Sequence, residues 1–138
     1  MVGAYGINER WVGLALVLFM LPARLAPQDA AALSRLRAAR HLQQEGAAQA
    51  ASNEYEAILP LFRSGSDRSL FAHVLFETSQ AALALGDYPR AIDHAAESAR
   101  VFHEQQDGRR EAVAINNIGL ARLYRGEGAR SRADTRSS

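Results

Sequence analysis

Residues 86–92 read Gly86-Asp87-Tyr88-Pro89-Arg90-Ala91-Ile92, and this stretch decides the fold. Gly86 can take the left-handed conformation that ends a helix, because it has no Cβ to clash. Pro89 suits a first helical turn, where its missing N–H has no intrahelical partner to lose. One helix therefore ends at Gly86 and another opens at Asp87 or Tyr88. Upstream, Leu70, Phe71, Val74, Leu75, Ala82 and Leu83 recur at helical spacing. Ser66 or Asp67 can cap them, which predicts a helix running to about Leu85. Downstream, Ala91, Ile92, Ala95, Ala99 and Phe102 share one face until Asp107-Gly108 ends the second helix.

The same plan recurs forty residues away on both sides. Gly46, Gly86 and Gly126 fall on that step; Ala39, Ser79 and Gly119 form a small-residue column; Ala51 lies over Ala91; Arg35, Leu75 and Ile115 share a further column. A first unit is predicted over roughly 29–45 and 47–62, closed by Ser64-Gly65-Ser66-Asp67. A third starts near Arg109 and carries Val113, Ile115, Ile118 and Leu123 to about Arg125. Nothing reads as a strand, so the fold class is all-α. A single hairpin cannot bury its apolar face alone, so neighbouring units must stack.

Gly86-Asp87-Tyr88 followed by Ala91-Ile92 resembles the turn and second-helix start of a tetratricopeptide repeat. Ala114-Ile115-Asn116-Asn117-Ile118-Gly119, with Tyr124 and Gly126, resembles the first helix of the next repeat in the longer-linker variety. The first unit departs from the pattern, with Ala47-Ala48 for Asp-Tyr and Arg35 at a normally large apolar position. The signature residues are Gly46, Gly86, Tyr88, Ala91, Gly119 and Gly126. The resemblance implies a short right-handed α-solenoid of antiparallel hairpins, about 2.5 repeats over 27–126. It also implies a concave groove lined by first-helix residues: Arg37, Arg40 and Gln44; His73, Glu77 and Gln80; Asn116, Asn117 and Tyr124. Such a groove holds an extended or helical peptide, with an acidic group near Arg37 and Arg40. The carboxylate-gripping set of the family is not matched, since Leu36 stands for its first Lys and Arg40 for an Asn.

Residues 1–26 differ in character. Arg10 precedes the apolar run Trp11–Leu21, then Pro22-Ala23, the layout of a secretory signal peptide with cleavage after Ala23, since cleavage after Ala26 would put Arg24 in a small-residue position. A buried apolar helix or an uncleaved anchor fits the same residues. Localisation is then periplasmic or extracellular if the leader is cleaved, and membrane-anchored if it is kept. At the other end, 127–138 is polar without apolar periodicity and reads as a disordered tail. Val113, Ile118 and Leu123 would then lack a second-helix partner. This leaves two expectations: a piece of a longer protein, or self-association through the uncapped third repeat.

The 138 residues carry a formal net charge of +1, all 16 basic residues being Arg, with 27 Ala and no Cys. Near-neutral charge speaks against a nucleic-acid partner. The lack of Cys excludes disulfides and thiol chemistry. His41, His73, His94 and His103 show no metal-ligand spacing, and no nucleophile elbow or phosphate loop is present. The expected role is a non-enzymatic protein-interaction module without cofactor or metal, binding a peptide or partner domain. The alternative is a regulatory or sensor front end of a larger bacterial repeat protein whose signalling or peptidase domain lies elsewhere.

Overall fold

The computed structural model describes residues 27–136, all of it helices and short turns: α1 Pro27–Gln44, α2 Ala48–Arg63, α3 Arg68–Ala84, α4 Tyr88–Glu104 and α5 Gly108–Arg136. The leader reading of residues 1–26 lies outside the described residues. Among those described there is no strand, and no helix is long and apolar enough to cross a membrane.

The turns explain the regularity. After α1, α3 and α4 the chain closes the same pair of backbone bonds. The N–H of Ala47, Asp87 and Asp107 reaches back to the carbonyls of Leu42, Ala82 and Phe102, each at 2.9 Å. Gly46, Gly86 and Gln106 donate to Gln43, Leu83 and His103 at 2.9 to 3.2 Å. This is the Schellman closure, which needs a left-handed residue at its centre. Gly46 (φ +78) and Gly86 (φ +74) supply it freely, whereas Gln106 (φ +58) does so against the penalty a side chain incurs. The forty-residue glycine register therefore holds at 46 and 86. It fails at Gly126, which lies inside α5.

The residue after each closure caps the next helix. Asp87 accepts the N–H of Arg90 at 3.3 Å and Asp107 that of Arg110 at 3.1 Å, while Asp67 accepts from Leu70 at 2.8 Å. Ala47 holds the equivalent place without a side-chain bond. Caps at 47, 67, 87 and 107 make a twenty-residue step, half the forty-residue repeat. Asp107 thus opens α5, and the Asp107-Gly108 pair expected to end α4 belongs to the next helix. Helix α5 also continues past Arg125 to Arg136, where a disordered tail was expected from 127. Gly126 and Gly128 each weaken a helix by about 1 kcal/mol, but with no αL closure there, Ala129, Arg130 and Arg132 continue the same backbone bonding.

Each helix packs chiefly on its chain neighbours, with α3 also touching α5. Helices α3 and α4 are antiparallel: Ser79 Oγ donates to the Ala91 carbonyl at 2.7 Å, and Ser98 Oγ to the Ala72 carbonyl at 2.8 Å. One core runs through α1 to α4, with Leu36, Tyr55, Ile58, Phe71, Val74 and Leu75 fully buried. Small residues let the helices close up: Ala82 on α3, Ala91 on α4 and Ala121 on α5 form a second, all-alanine cluster. Ser79, Ala91 and Ala95 are likewise fully buried.

Three side-chain ion pairs bridge alternate helices, while Arg35–Glu54 and His103–Glu111 join chain neighbours. Arg40 on α1 meets Glu77 on α3. On the other side, His94 of α4 lies 2.7 Å from Glu56 of α2, and Arg63 at the end of α2 grips Glu97 of α4. Helices α1, α3 and α5 form one layer, α2 and α4 the other.

Candidate functional site

The expected groove residues come from the α1–α3–α5 layer, and four of them converge. Arg40, Gln44, Glu77 and Gln80, joined by Gln43 and Tyr55, line one open depression across α1, α2 and α3. The Arg40 guanidinium holds Glu77 with two prongs: Nε lies 3.0 Å from both carboxylate oxygens and Nη2 2.7 Å from Oε1. This geometry suits the planar fork of Arg and fixes both side chains. Tyr55, buried beneath, donates its hydroxyl to Gln43 Oε1 at 2.8 Å. Burial, with the Glu77 carboxylate nearby, pushes the Tyr55 phenol up to about 12. At neutral pH it is a fixed hydrogen-bond donor.

These contacts revise the expected chemistry. Arg40 was expected to offer its charge to an acidic ligand group, but Glu77 already neutralises it. The depression is instead balanced in charge and rich in amides: Gln43, Gln44 and Gln80 each carry both donors and acceptors. That is the inventory a peptide backbone needs. Arg37 is exposed and, among the described residues, has no ion-pair partner, so one cation remains on α1 beyond the paired Arg40.

The other expected residues separate. His73 is half-buried on α3 with its ring edge-on to Phe102, centroids 5.2 Å apart. Burial, with the Arg110 and Arg40 charges nearby, holds its pKa below the ordinary histidine value. Asn116 and Tyr124 are exposed on α5. Asn117 is not a groove residue: it is 5% exposed, and its Nδ2 donates to Ser79 Oγ at 2.6 Å. Ser79 passes the link to the Ala91 carbonyl, so one relay ties α5, α3 and α4. Asn117 is buried because it sits on the face of α5 that packs against α3, opposite Asn116's outward turn.

Two concavities lay outside the expectation. An apolar cavity of about 200 Å³ opens between Ala32, Leu33, Phe62 and Leu70, with Asp29 and Asp67 at its rim. On the α2–α4 layer, Glu56, Asp87, Arg90, Asp93 and His94 line a shallow polar hollow. Among the described residues no group of three or more His, Asp or Glu side chains is placed to hold a metal ion. Tyr55 and Gln43 were missed because their role depends on α2 tucking under α1, which no local spacing announces. The twenty-residue Asp67–Asp87–Asp107 series was visible and would have fixed the helix starts. No protein-family model, curated protein or solved structure matches the chain.

Proposed function

We propose that the chain is a non-enzymatic protein-interaction module, a short right-handed solenoid of tetratricopeptide type that binds an extended peptide along its α1–α3–α5 layer. Four features support the solenoid reading: the twenty-residue helix step, the repeated Schellman turns, the antiparallel α3–α4 pair and packing mainly between chain neighbours. The observation that carries the binding reading is the depression formed by Gln43, Gln44, Gln80 and the locked Arg40–Glu77 pair. The Arg40–Glu77 pair and Gln43, bonded by Tyr55, are held in place before any ligand arrives, which lowers the entropy lost on binding. A ligand with alternating backbone N–H and C=O groups matches its amides, and the exposed Arg37 favours an acidic side chain at one end. Export through the leader read in residues 1–26 belongs to the same proposal, with a mature N-terminus near Arg24 expected on N-terminal sequencing.

The test is to select peptides from a random library on the immobilised full chain and map them by amide chemical-shift changes. Shifts gathered on Gln44, Tyr55, Glu77 and Gln80, and lost in a Gln44→Ala, Gln80→Ala variant, support the reading. Enriched peptides that shift Asp87, Arg90 and His94 instead, or a selection that enriches none, refute it.

A further inference from the structure

Helix α5 has one face with no helix against it among the described residues, and the repeat itself says what belongs there. On α3, the residues that meet α4 are Ala72, whose carbonyl accepts Ser98 Oγ, His73, which meets Phe102 edge-on, and Ser79, which bonds the Ala91 carbonyl. Leu75 and Ala82 on the same helix are buried too. Forty residues on, α5 carries Ala112, Val113, Ile115, Gly119 and Arg122, and every one of them is exposed. Val113 is 50% exposed, Ile115 52% and Leu123 54%, whereas Leu75 is 0%. A Cβ built at Gly119 meets nothing within 4 Å. The face bears no charged side chain from Ala112 to Leu123 except Arg122 at its edge.

Charge narrows the occupant. Residues 27–107 hold eleven Asp or Glu against seven Arg, a formal −4, while 108–136 hold seven Arg against three acids, a formal +4. Arg122 stands where α3 has the buried Ala82, and Arg125 follows one turn on. Neither has an ion-pair partner among the described residues. A second copy laid α5 against α5 would set two +4 segments face to face, with Arg122 and Arg125 near each other or near Arg109 and Arg110, which is unfavourable across a partly buried contact. A lipid surface would leave the small-residue column at Ala112 and Gly119 unused, because close backbone approach is what such residues allow another helix.

We propose that this α5 face is a second docking surface, separate from the groove, for a partner's antiparallel amphipathic helix. That helix presents a stripe of Ala and Ser, as α4 does at Ala91, Ala95, Ser98 and Ala99, and acidic side chains in its first turn to meet Arg122 and Arg125. Acid in a first turn also suits the incoming helix's own dipole.

The probe is a synthetic peptide copying residues 87–106 with Arg90→Glu, which makes its first turn acidic, titrated into the full-length protein. Saturable binding is expected, weakened about threefold or more by Arg122→Glu and at raised salt. Gly119→Leu should weaken it at least about tenfold by filling the close-approach column. That variant keeps its fold, because Leu is a better helix former than Gly and the site is open. A peptide with Ala91→Leu and Ala95→Leu should not bind. Binding that Gly119→Leu leaves unchanged overturns the proposal, as does no binding at about 1 mM peptide, a threshold of roughly 4 kcal/mol. Binding of Gly119-dependent anionic vesicles in place of the peptide, or a Gly119-dependent dimer by sedimentation, overturns it in favour of a membrane or a second copy.

Discussion

Removing the hydroxyl of Ser79 is the sharpest probe of how the helices are held. Ser79 Oγ accepts from Asn117 Nδ2 at 2.6 Å and donates to the Ala91 carbonyl at 2.7 Å, with Ser79 fully buried and Asn117 5% exposed. Ser79→Ala therefore strands a buried amide N–H, which costs about 1–3 kcal/mol, and loses a bond worth about 1 kcal/mol. Asn117→Ala removes the donor but leaves Ser79 bonded to Ala91, so its cost is a lost bond and a small void, about 1–2 kcal/mol. In the double variant no donor is stranded. Its cost should fall short of the sum of the single variants by about 1–2 kcal/mol. Urea unfolding followed at 222 nm reads this directly. With a slope of about 1–1.5 kcal/mol/M for a chain this size, Ser79→Ala shifts the midpoint by about 2 M. Equal slopes across the four proteins are required for the cycle to be read. Single-variant costs that add within about 0.3 kcal/mol would refute the relay.

Four further outcomes follow from the geometry. Ala47→Asp places a carboxylate at the one uncapped member of the 47–67–87–107 series, where φ −78 and ψ 63 nearly match Asp87 (φ −83, ψ 72), and should stabilise the fold by about 1 kcal/mol in denaturant midpoint. Gln106→Gly relieves the φ +58 left-handed strain and should raise stability by about 0.5–1 kcal/mol, where Gly86→Ala should lower it by about 1 kcal/mol. The Tyr55 phenol, pushed up to about 12 against about 10 unfolded, should give an ionisation step at 295 nm near pH 12 that Tyr55→Phe removes. The native state keeps its proton longer, so this contribution to stability is intact below pH 10 and lost as pH rises towards 12, a slope that Tyr55→Phe should remove. Arg63 holds the Glu97 carboxyl below its ordinary range, so its stabilisation is present above the unfolded value and lost as pH falls through the folded one. Glu97→Gln should flatten the acid limb of a stability–pH curve.

Much of the helix plan could be read because turn chemistry is local. Gly46 and Gly86 declare left-handed closures, and Pro89 a first turn, without reference to any distant residue. Gln106 defeats that reading: the φ +58 it adopts is imposed by α4 and α5 closing on each other, not by its own preference. Gly126 misleads in the opposite sense, since a glycine can end a helix but does not have to. For the site, the family resemblance implied that Arg40 and Glu77 share one groove but could not reveal that they bind each other across 37 residues. The same resemblance offered Asn116 and Asn117 as equals. Only the rotation of α5 against α3 buries one and exposes the other.

The twenty-residue step carries a consequence for how this chain can change length. The second to fifth helices begin at equivalent positions, 47, 67, 87 and 107, so the unit of insertion or deletion is one helix with its turn. Removing two units, such as 48–87, returns each remaining helix to its own side of the structure. Removing a single unit, such as 68–87, would exchange the sides: α4, built to bury Ala91 and Ala95, would follow α2 in the place that α3 and its Gln80 had held. Parity, and not length, is what an edited array must conserve.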